Sequence, residues 1–303
     1  YTSFVGGELC EGGAQPVLFN DEVIIKGLTQ RLNIPKEDAF DYASDGCWEV
    51  LIYGRTEYSY GHIEVMPCME ALFNKGCSFV TGRKIGVDPG DTLNSLNTFD
   101  EFYEAYFEQV RFRIDNAVKN KMKYYDKVHQ IAPEPYLSAL VDDCIENGRD
   151  LTNRGARYRI YSLFATGLSH CIDSLSAIKK LVYDEKRLTL LEVAEILKDN
   201  WKDNEALRQY CLNKTPKYGN DDKEAYTILV RFMNDFCDSA DYWNSSIDWL
   251  TITAGVATFE NYPRFGRQAW ASFDGRFAHE AFSSNYSPAV GRDQEGPTAV
   301  VLS

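Results

Sequence analysis

Phe99-Asp100-Glu101-Phe102-Tyr103-Glu104-Ala105-Tyr106 opens a long periodic stretch in this 303-residue chain. Phe99, Phe102, Tyr103, Tyr106, Val110, Phe112, Ile114, Ala117 and Val118 recur at helical spacing, which predicts one long helix running towards Ile131. Ala132-Pro133-Glu134-Pro135 ends it, because proline lacks the amide donor and clashes with the preceding turn. A second helix is expected from about Pro135 to Asn147, with Gly148 just past its end, and a third over roughly Ile172 to Glu185. Thr189-Leu190-Leu191-Glu192 has the form of a capping box that opens a helix towards Trp201. Further helices follow over Glu205 to Leu212 and from Asn220-Asp221-Asp222 to about Tyr242.

Working outward, residues 1–98 read as strands and ordered loops, with apolar runs at Pro16 to Phe19, Val23 to Ile25 and Trp48 to Tyr53. A short helix is expected around Gly27 to Arg31. Trp249 to Val256 is strand-like, and Asp274 to Pro297 is a tail punctuated by glycine and proline. The reading is α/β: residues 1–98 carry strands and the cysteine loop, residues 99–242 are mainly helical, and residues 243–303 form a strand and an extended tail. No internal repeat or linker marks a clean domain boundary.

Lys and Arg number 32 against 45 Asp and Glu, a formal charge of −13 that argues against nucleic acid as a partner. No apolar run approaches the ~20 residues that span a bilayer. Tyr1 to Cys10 lacks a basic start followed by an apolar stretch, so no signal peptide is expected there. The eight cysteines show no C-x-x-C spacing and the four histidines do not join them, so no metal site is expected. Reduced thiols and a cytoplasmic location follow, and the Asn-x-Ser/Thr triplets at Asn213, Asn244 and Asn285 carry little weight.

The chemistry concentrates in Asp45-Gly46-Cys47-Trp48-Glu49. In an extended segment side chains two apart face the same way, so Cys47 and Glu49 point together and Trp48 points opposite. A thiol beside a carboxyl suits linked chemistry at sulfur and proton transfer at the carboxyl. Burial would keep the sulfur protonated and let the carboxyl work near neutral pH. A lone cysteine is also a common small core residue.

The surroundings of that motif resemble the glycyl radical enzymes, the pyruvate formate-lyase-like family. Phe19-Asn20-Asp21-Glu22-Val23-Ile24 is similar to the family's strand-forming segment before the catalytic cysteine, and Asp41-Tyr42-Ala43 leading into Gly46-Cys47-Trp48-Glu49 resembles its cysteine loop. Leu140 to Gly148 with Gly155-Ala156-Arg157-Tyr158 resembles another family stretch. So do Asp173-Ser174-Leu175 with Ala177-Ile178-Lys179-Lys180, and Lys217-Tyr218-Gly219-Asn220-Asp221. Asp274-Gly275-Arg276, Ser287-Pro288 and Gly296-Pro297-Thr298-Ala299-Val300 look like the segment before the radical domain.

The resemblance implies part of a ten-stranded α/β barrel with the cysteine loop inside. It implies a glycyl radical on a glycine beyond Ser303, installed by a partner activating enzyme that uses S-adenosylmethionine and a [4Fe–4S] cluster, with no cofactor bound directly. Cys47 would be the thiyl site and Glu49 the acid or base, with Tyr58, Tyr60 and His62 (among Arg55, Glu57 and Glu64) bordering a small-molecule substrate. One cysteine with a glutamate two residues on is the pattern of the dehydratases, decarboxylases and C–N or C–S lyases. A dehydratase acting on a small hydroxylated or amine-bearing metabolite is the leading reading, in a homodimer. Formate acetyltransferase, an arylacetate decarboxylase, or a non-catalytic subunit whose partner supplies the radical glycine are the alternatives. Trp48 departs from the small apolar residue usual beside the cysteine, His129 reads as a dipole partner at the C-terminal end of the long helix, and His170 and His279 read as structural or surface residues.

Overall fold

The computed structural model of the chain describes residues 20–44 and 49–303, so the expected strand at Pro16 to Phe19 lies outside the described residues. Two compact units are each assembled from discontinuous stretches: Tyr1–Ser59, Lys123–Tyr161 and Ile247–Thr251 in the first, and Tyr60–Met122, Ser162–Ser246 and Ile252–Ser303 in the second.

The first unit begins with helix α1 (Asp21–Gln30). Asn20 caps it by accepting from the Val23 amide at 3.3 Å, and Asp21 and Glu22 place negative charge at its positive end. This corrects the strand expected at Val23 to Ile25 and extends the short helix expected at Gly27 to Arg31. Three apolar residues in a row do not distinguish strand from helix, and the cap decides. Ile24, Ile25 and Leu28 share one face and pack with Ile34, Ala39 and Ile52.

After a single turn of helix, α2 (Lys36–Ala39), strands β1 (Tyr42–Ser44) and β2 (Val50–Ile52) pair antiparallel, with Tyr42 opposite Ile52, Ala43 opposite Leu51 and Ser44 opposite Val50. Strand β3 (Thr56–Glu64) follows and leads into helix α3 (Val65–Phe73). Every residue of α3 is buried, which removes the polar face that would have announced it.

The periodic stretch is helix α4 (Phe99–Tyr125). Thr98 and Glu101 cap it reciprocally: the threonine oxygen accepts from the Glu101 amide at 3.2 Å, and the Glu101 carboxylate accepts from the Asn97 and Thr98 amides at 2.7 and 2.9 Å. Phe102, Tyr103, Tyr106, Phe107, Val110, Ile114 and Val118 are buried, each worth roughly 1.5–3 kcal/mol of apolar burial. The helix ends before the expected Ile131, and the short α5 (Val128–Ile131) follows the break.

The helix expected from Pro135 to Asn147 closes after one turn, α6 (Pro135–Ser138). Ser138 Oγ accepts from the Leu151 amide at 2.7 Å and donates to Glu134 O at 2.6 Å, and the chain turns away. Inside the stretch read as helical lies strand β4 (Tyr158–Thr166), which stands between β3 and β5 (Thr251–Val256) in a three-stranded sheet. A central strand buried on both faces shows no two-residue alternation, so its sequence does not declare it.

The second unit is built around α7 (Leu168–Ile178), whose eleven residues are all buried. Gly167 caps it at φ +81°, where an added Cβ would sit 3.2–3.3 Å from Phe282 and Met66. The helix continues as a π turn over Lys179–Asp184. Then come α8 (Leu190–Lys198), opened by the capping box of Thr189 and Glu192, α9 (Glu205–Lys214) and α10 (Lys223–Asn244). Asp222 alone of the acidic run caps α10, accepting from the Glu224 and Ala225 amides. Ala225, Ile228, Leu229, Phe232, Phe236 and Ala240 form its buried stripe. Helices α11 (Tyr262–Gln268) and α12 (Pro297–Leu302) flank a long irregular segment. Among the described residues, no helix is long and apolar enough to cross a membrane.

Candidate functional site

The β1–β2 hairpin closes at the pair Ser44 and Val50, so the five residues between them are 45–49, with Cys47 third. Cys47 and Trp48 lie outside the described residues. Glu49 is described and is 9% exposed, directly before β2.

Charge holds the base of the hairpin. Arg55, just beyond β2, bonds the Asp38 carboxylate at 2.5 Å and lies 3.5 Å from Asp41 and 3.3 Å from Asp142. Arg157 pairs with Asp143 at 2.8 Å and approaches Asp38 at 3.5 Å, and the Tyr158 hydroxyl donates to Asp38. The Tyr158 hydroxyl, with Arg55 and Arg157 beside it, holds the Asp38 carboxyl below its ordinary range. Arg55, a candidate substrate neighbour from sequence, is therefore occupied by carboxylates.

Alternation along β3 puts Tyr58, Tyr60, His62 and Glu64 on one face and Glu57, Ser59, Gly61 and Ile63 on the other. In the first unit Glu57 accepts the Tyr125 hydroxyl and Ser59 donates to Ile160 O at 3.5 Å. In the second unit Tyr60 and His62 meet edge to face with ring centres 5.7 Å apart. Phe164, Phe259 and Phe265 complete an aromatic wall around them, Phe265 lying 4.8 Å from His62 and Phe164 lying 5.8 Å from Tyr60. Tyr60 remains half-exposed. Thr166 fixes the His62 ring: its hydroxyl can donate to Phe164 O or Ala257 O, both at 3.3 Å, and its oxygen lies 3.2 Å from His62 Nδ1. With Nδ1–H donating there, Nε2 is left as an acceptor. Burial pushes the His62 pKa down.

Glu64 sits 3.5 Å from Arg113 and its carbonyl accepts from the Cys68 thiol. Burial raises the Glu64 carboxyl, with Arg113 and Arg264 opposing. Beside His62 lies a cavity of about 440 Å³ lined by Lys84, Arg113, Asn116 and Asn120, a donor-rich surface. The sequence reading missed Phe164, Thr166, Phe259 and Phe265, since residues remote in sequence carry no spacing signal.

It also left His170 without a partner. In the second unit His170 Nδ1 lies 2.6 Å from Asp274 and its Nε2 accepts from the Ser283 amide at 3.2 Å, so the hydrogen on Nδ1 goes to the carboxylate. Ser272 and the Arg276 amide donate to the other Asp274 oxygen. Burial would raise the Asp274 pKa, but His170 and Lys217 pull it well below the usual range. Asp173 differs. One oxygen accepts from the Tyr218 amide at 2.8 Å, the other has no hydrogen-bond partner, and burial raises its pKa to about 6 despite Lys217 nearby. His129, expected to complement a helix end, has its Nδ1 buried without a hydrogen-bond partner. His279 Nδ1 lies 2.8 Å from Arg267 O.

Cys68, Cys77, Cys144, Cys171 and Cys211 are free thiols. Among the described residues no group of three or more His, Cys, Asp or Glu is arranged to hold a metal ion.

Comparison with known proteins places the chain among relatives. A family model described as pyruvate formate lyase-like covers residues 4–266. Trans-4-hydroxy-L-proline dehydratase of Clostridioides difficile is 31% identical over 97% of this chain and 37% of its own length. (2S)-3-Sulfopropanediol dehydratase of Klebsiella oxytoca is 34% identical over 96% of this chain and 36% of its own. The glycerol-bound B12-independent glycerol dehydratase of Clostridium butyricum superposes with a TM-score of 0.87 at 29% identity, covering 96% of this chain and 37% of that one. The chain thus spans a little over a third of the relatives it matches, and its sheet and helices form part of an α/β barrel of their type. On this match and this fold, the chain belongs to the pyruvate formate lyase-like family of glycyl radical enzymes.

Proposed function

We propose that the protein containing this chain is a glycyl radical lyase, a dehydratase that eliminates water or an amine from a small hydroxylated metabolite. The observation that carries it is the Gly46-Cys47-Trp48-Glu49 motif, with Glu49 buried at the head of β2, inside a family match whose relatives are named as dehydratases.

When installed, the family's glycyl radical supplies a hydrogen-atom acceptor. Cys47 gives up its S–H hydrogen, then takes a hydrogen atom from a substrate carbon bearing a hydroxyl. Glu49 takes the proton of that hydroxyl and passes a proton to the hydroxyl on the neighbouring carbon, which departs as water. The first carbon becomes a carbonyl, the radical moves to the second carbon, and Cys47 returns its hydrogen atom there. A shielded, protonated sulfur suits this chemistry, unlike the exposed thiolate of cysteine nucleophiles. Burial of Glu49 fits a carboxyl that shuttles a proton without free water. Tyr58, Tyr60 and His62 are proposed to face the substrate, with His62 Nε2 accepting from its hydroxyl or ammonium. The proposal extends to a small-molecule substrate, a radical S-adenosylmethionine activating partner, a homodimer and a cytoplasmic location.

The test uses the full-length protein, activated without oxygen. Cys47→Ala is expected to abolish turnover of a diol or hydroxyproline while the glycyl radical signal persists in electron paramagnetic resonance. Turnover by that variant would end the proposal.

A further inference from the structure

Two residues facing each other across a loop of the second unit adopt backbone conformations that L side chains avoid. Phe259 has φ +49° and Asn285 has φ +47°. Asparagine tolerates the left-handed region, but for a bulky aromatic it is a true outlier, kept only where the surroundings impose it. Here the imposing group is the Asn285 side chain. Its Oδ1 accepts from the Thr258 amide at 2.8 Å, the Phe259 amide at 3.1 Å and the Thr258 hydroxyl at 3.2 Å. The Asn285 amide in turn donates to Thr258 Oγ1 at 2.8 Å, so the two segments lock reciprocally. Thr258 is fully buried.

The strained residue is the one that reaches the candidate site. The Phe259 ring lies 5.0 Å from Tyr60, 5.8 Å from His62 edge to face, and 5.9 Å from Phe164 edge to face. A relaxed backbone at 259 would aim that ring elsewhere. Asn285 has a further anchor, since Ser283 two residues earlier donates its amide to the buried His170.

We infer that Phe259 is a specificity-determining residue, its ring set by the Asn285 clamp as a fixed wall that limits the size of the substrate lying against Tyr60 and His62. This rests on the functional reading above for the place of the substrate, and concerns only which substrates fit.

The test reads binding in the unactivated full-length protein, which needs no radical, with 1,2-propanediol, glycerol and trans-4-hydroxy-L-proline as probes of rising size, followed by calorimetry. Phe259→Ala is expected to shift the ratio of affinities towards hydroxyproline by about tenfold, the scale of discrimination that a pocket wall supplies. Asn285→Ala should move it the same way by a smaller factor. Asn285→Asp, which keeps an acceptor oxygen, should stay closer to the unsubstituted protein than Asn285→Ala does. Phe259→Gly, which accepts the positive φ but lacks the ring, should shift the ratio as Phe259→Ala does, separating wall from fold. A ratio unchanged within twofold in Phe259→Ala and Phe259→Gly, or no binding of any probe, overturns the inference. Turnover by Cys47→Ala would overturn the catalytic reading instead.

Discussion

The hairpin of the first unit and the central helix of the second hold their polar groups by opposite means. Around the hairpin, Asp38 gathers Arg55, Arg157 and the Tyr158 hydroxyl, and both arginines reach further carboxylates at half-exposed positions. Around α7, His170, Asp173 and Asp274 are buried, and each carries a small, directed set of bonds. The difference teaches where a substitution is absorbed. A network whose arginines are part-exposed has spare partners and water to fill a gap, whereas a fully buried one has neither.

The largest expected effect breaks the buried side. His170→Ala leaves the Asp274 charge without its main partner, and removing one member of a buried pair costs about 3–5 kcal/mol. The thermal midpoint of the full-length protein should fall, and hydrogen exchange should quicken over residues 168–178 and 272–288. A loss confined to the midpoint, with exchange in those segments unchanged, would show that the pair does not hold that segment.

Asp173 sharpens the contrast through pH. Its folded pKa of about 6 lies above the ordinary carboxylate value, so the folded state prefers the protonated form. That preference favours folding below about pH 4 and is lost as pH rises towards 6, after which the buried charge is a cost. Asp173→Asn keeps the acceptor for the Tyr218 amide and removes the charge. The variant should gain on the original by roughly 2 kcal/mol between pH 4 and pH 7.5. An equal difference at both pH values would contradict a raised pKa.

Asp38 should give the smallest effect and the opposite slope. Its folded pKa is lowered, so its contribution is full above the ordinary carboxylate range and is lost as pH falls through the folded pKa. Asp38→Asn is expected to cost about 1 kcal/mol at neutral pH, less at high salt, because Arg55 and Arg157 are part-exposed and keep Asp41, Asp142 and Asp143 as partners. Unfolding titrations at two ionic strengths check it. A cost as large as that of His170→Ala would erase the distinction between the two regions.

Much of the chemistry was legible from short-range pattern. Thr189 and Glu192 cap α8 as their spacing implied, and the α4 stripe from Phe102 to Val118 is buried as its period implied. The missed elements share a cause. Helix α3 and strand β4 are buried on nearly every side, so neither shows alternation of polar and apolar residues. The two units escaped notice because each draws on separated stretches of chain, which no local composition shift can mark.

The sequence by itself determined the helices with a polar face and their cap residues, and it put forward the Cys47 and Glu49 pair that remains a proposal. Tertiary structure alone decided that Phe259, Phe164 and Phe265 stand around His62, that Thr166 sets its ring, and that His170 meets Asp274 across 104 residues. The physical reason is range. Capping and amphipathic period act within a turn or two, while the aromatic wall and the buried pair form only when distant segments exclude water from the same volume.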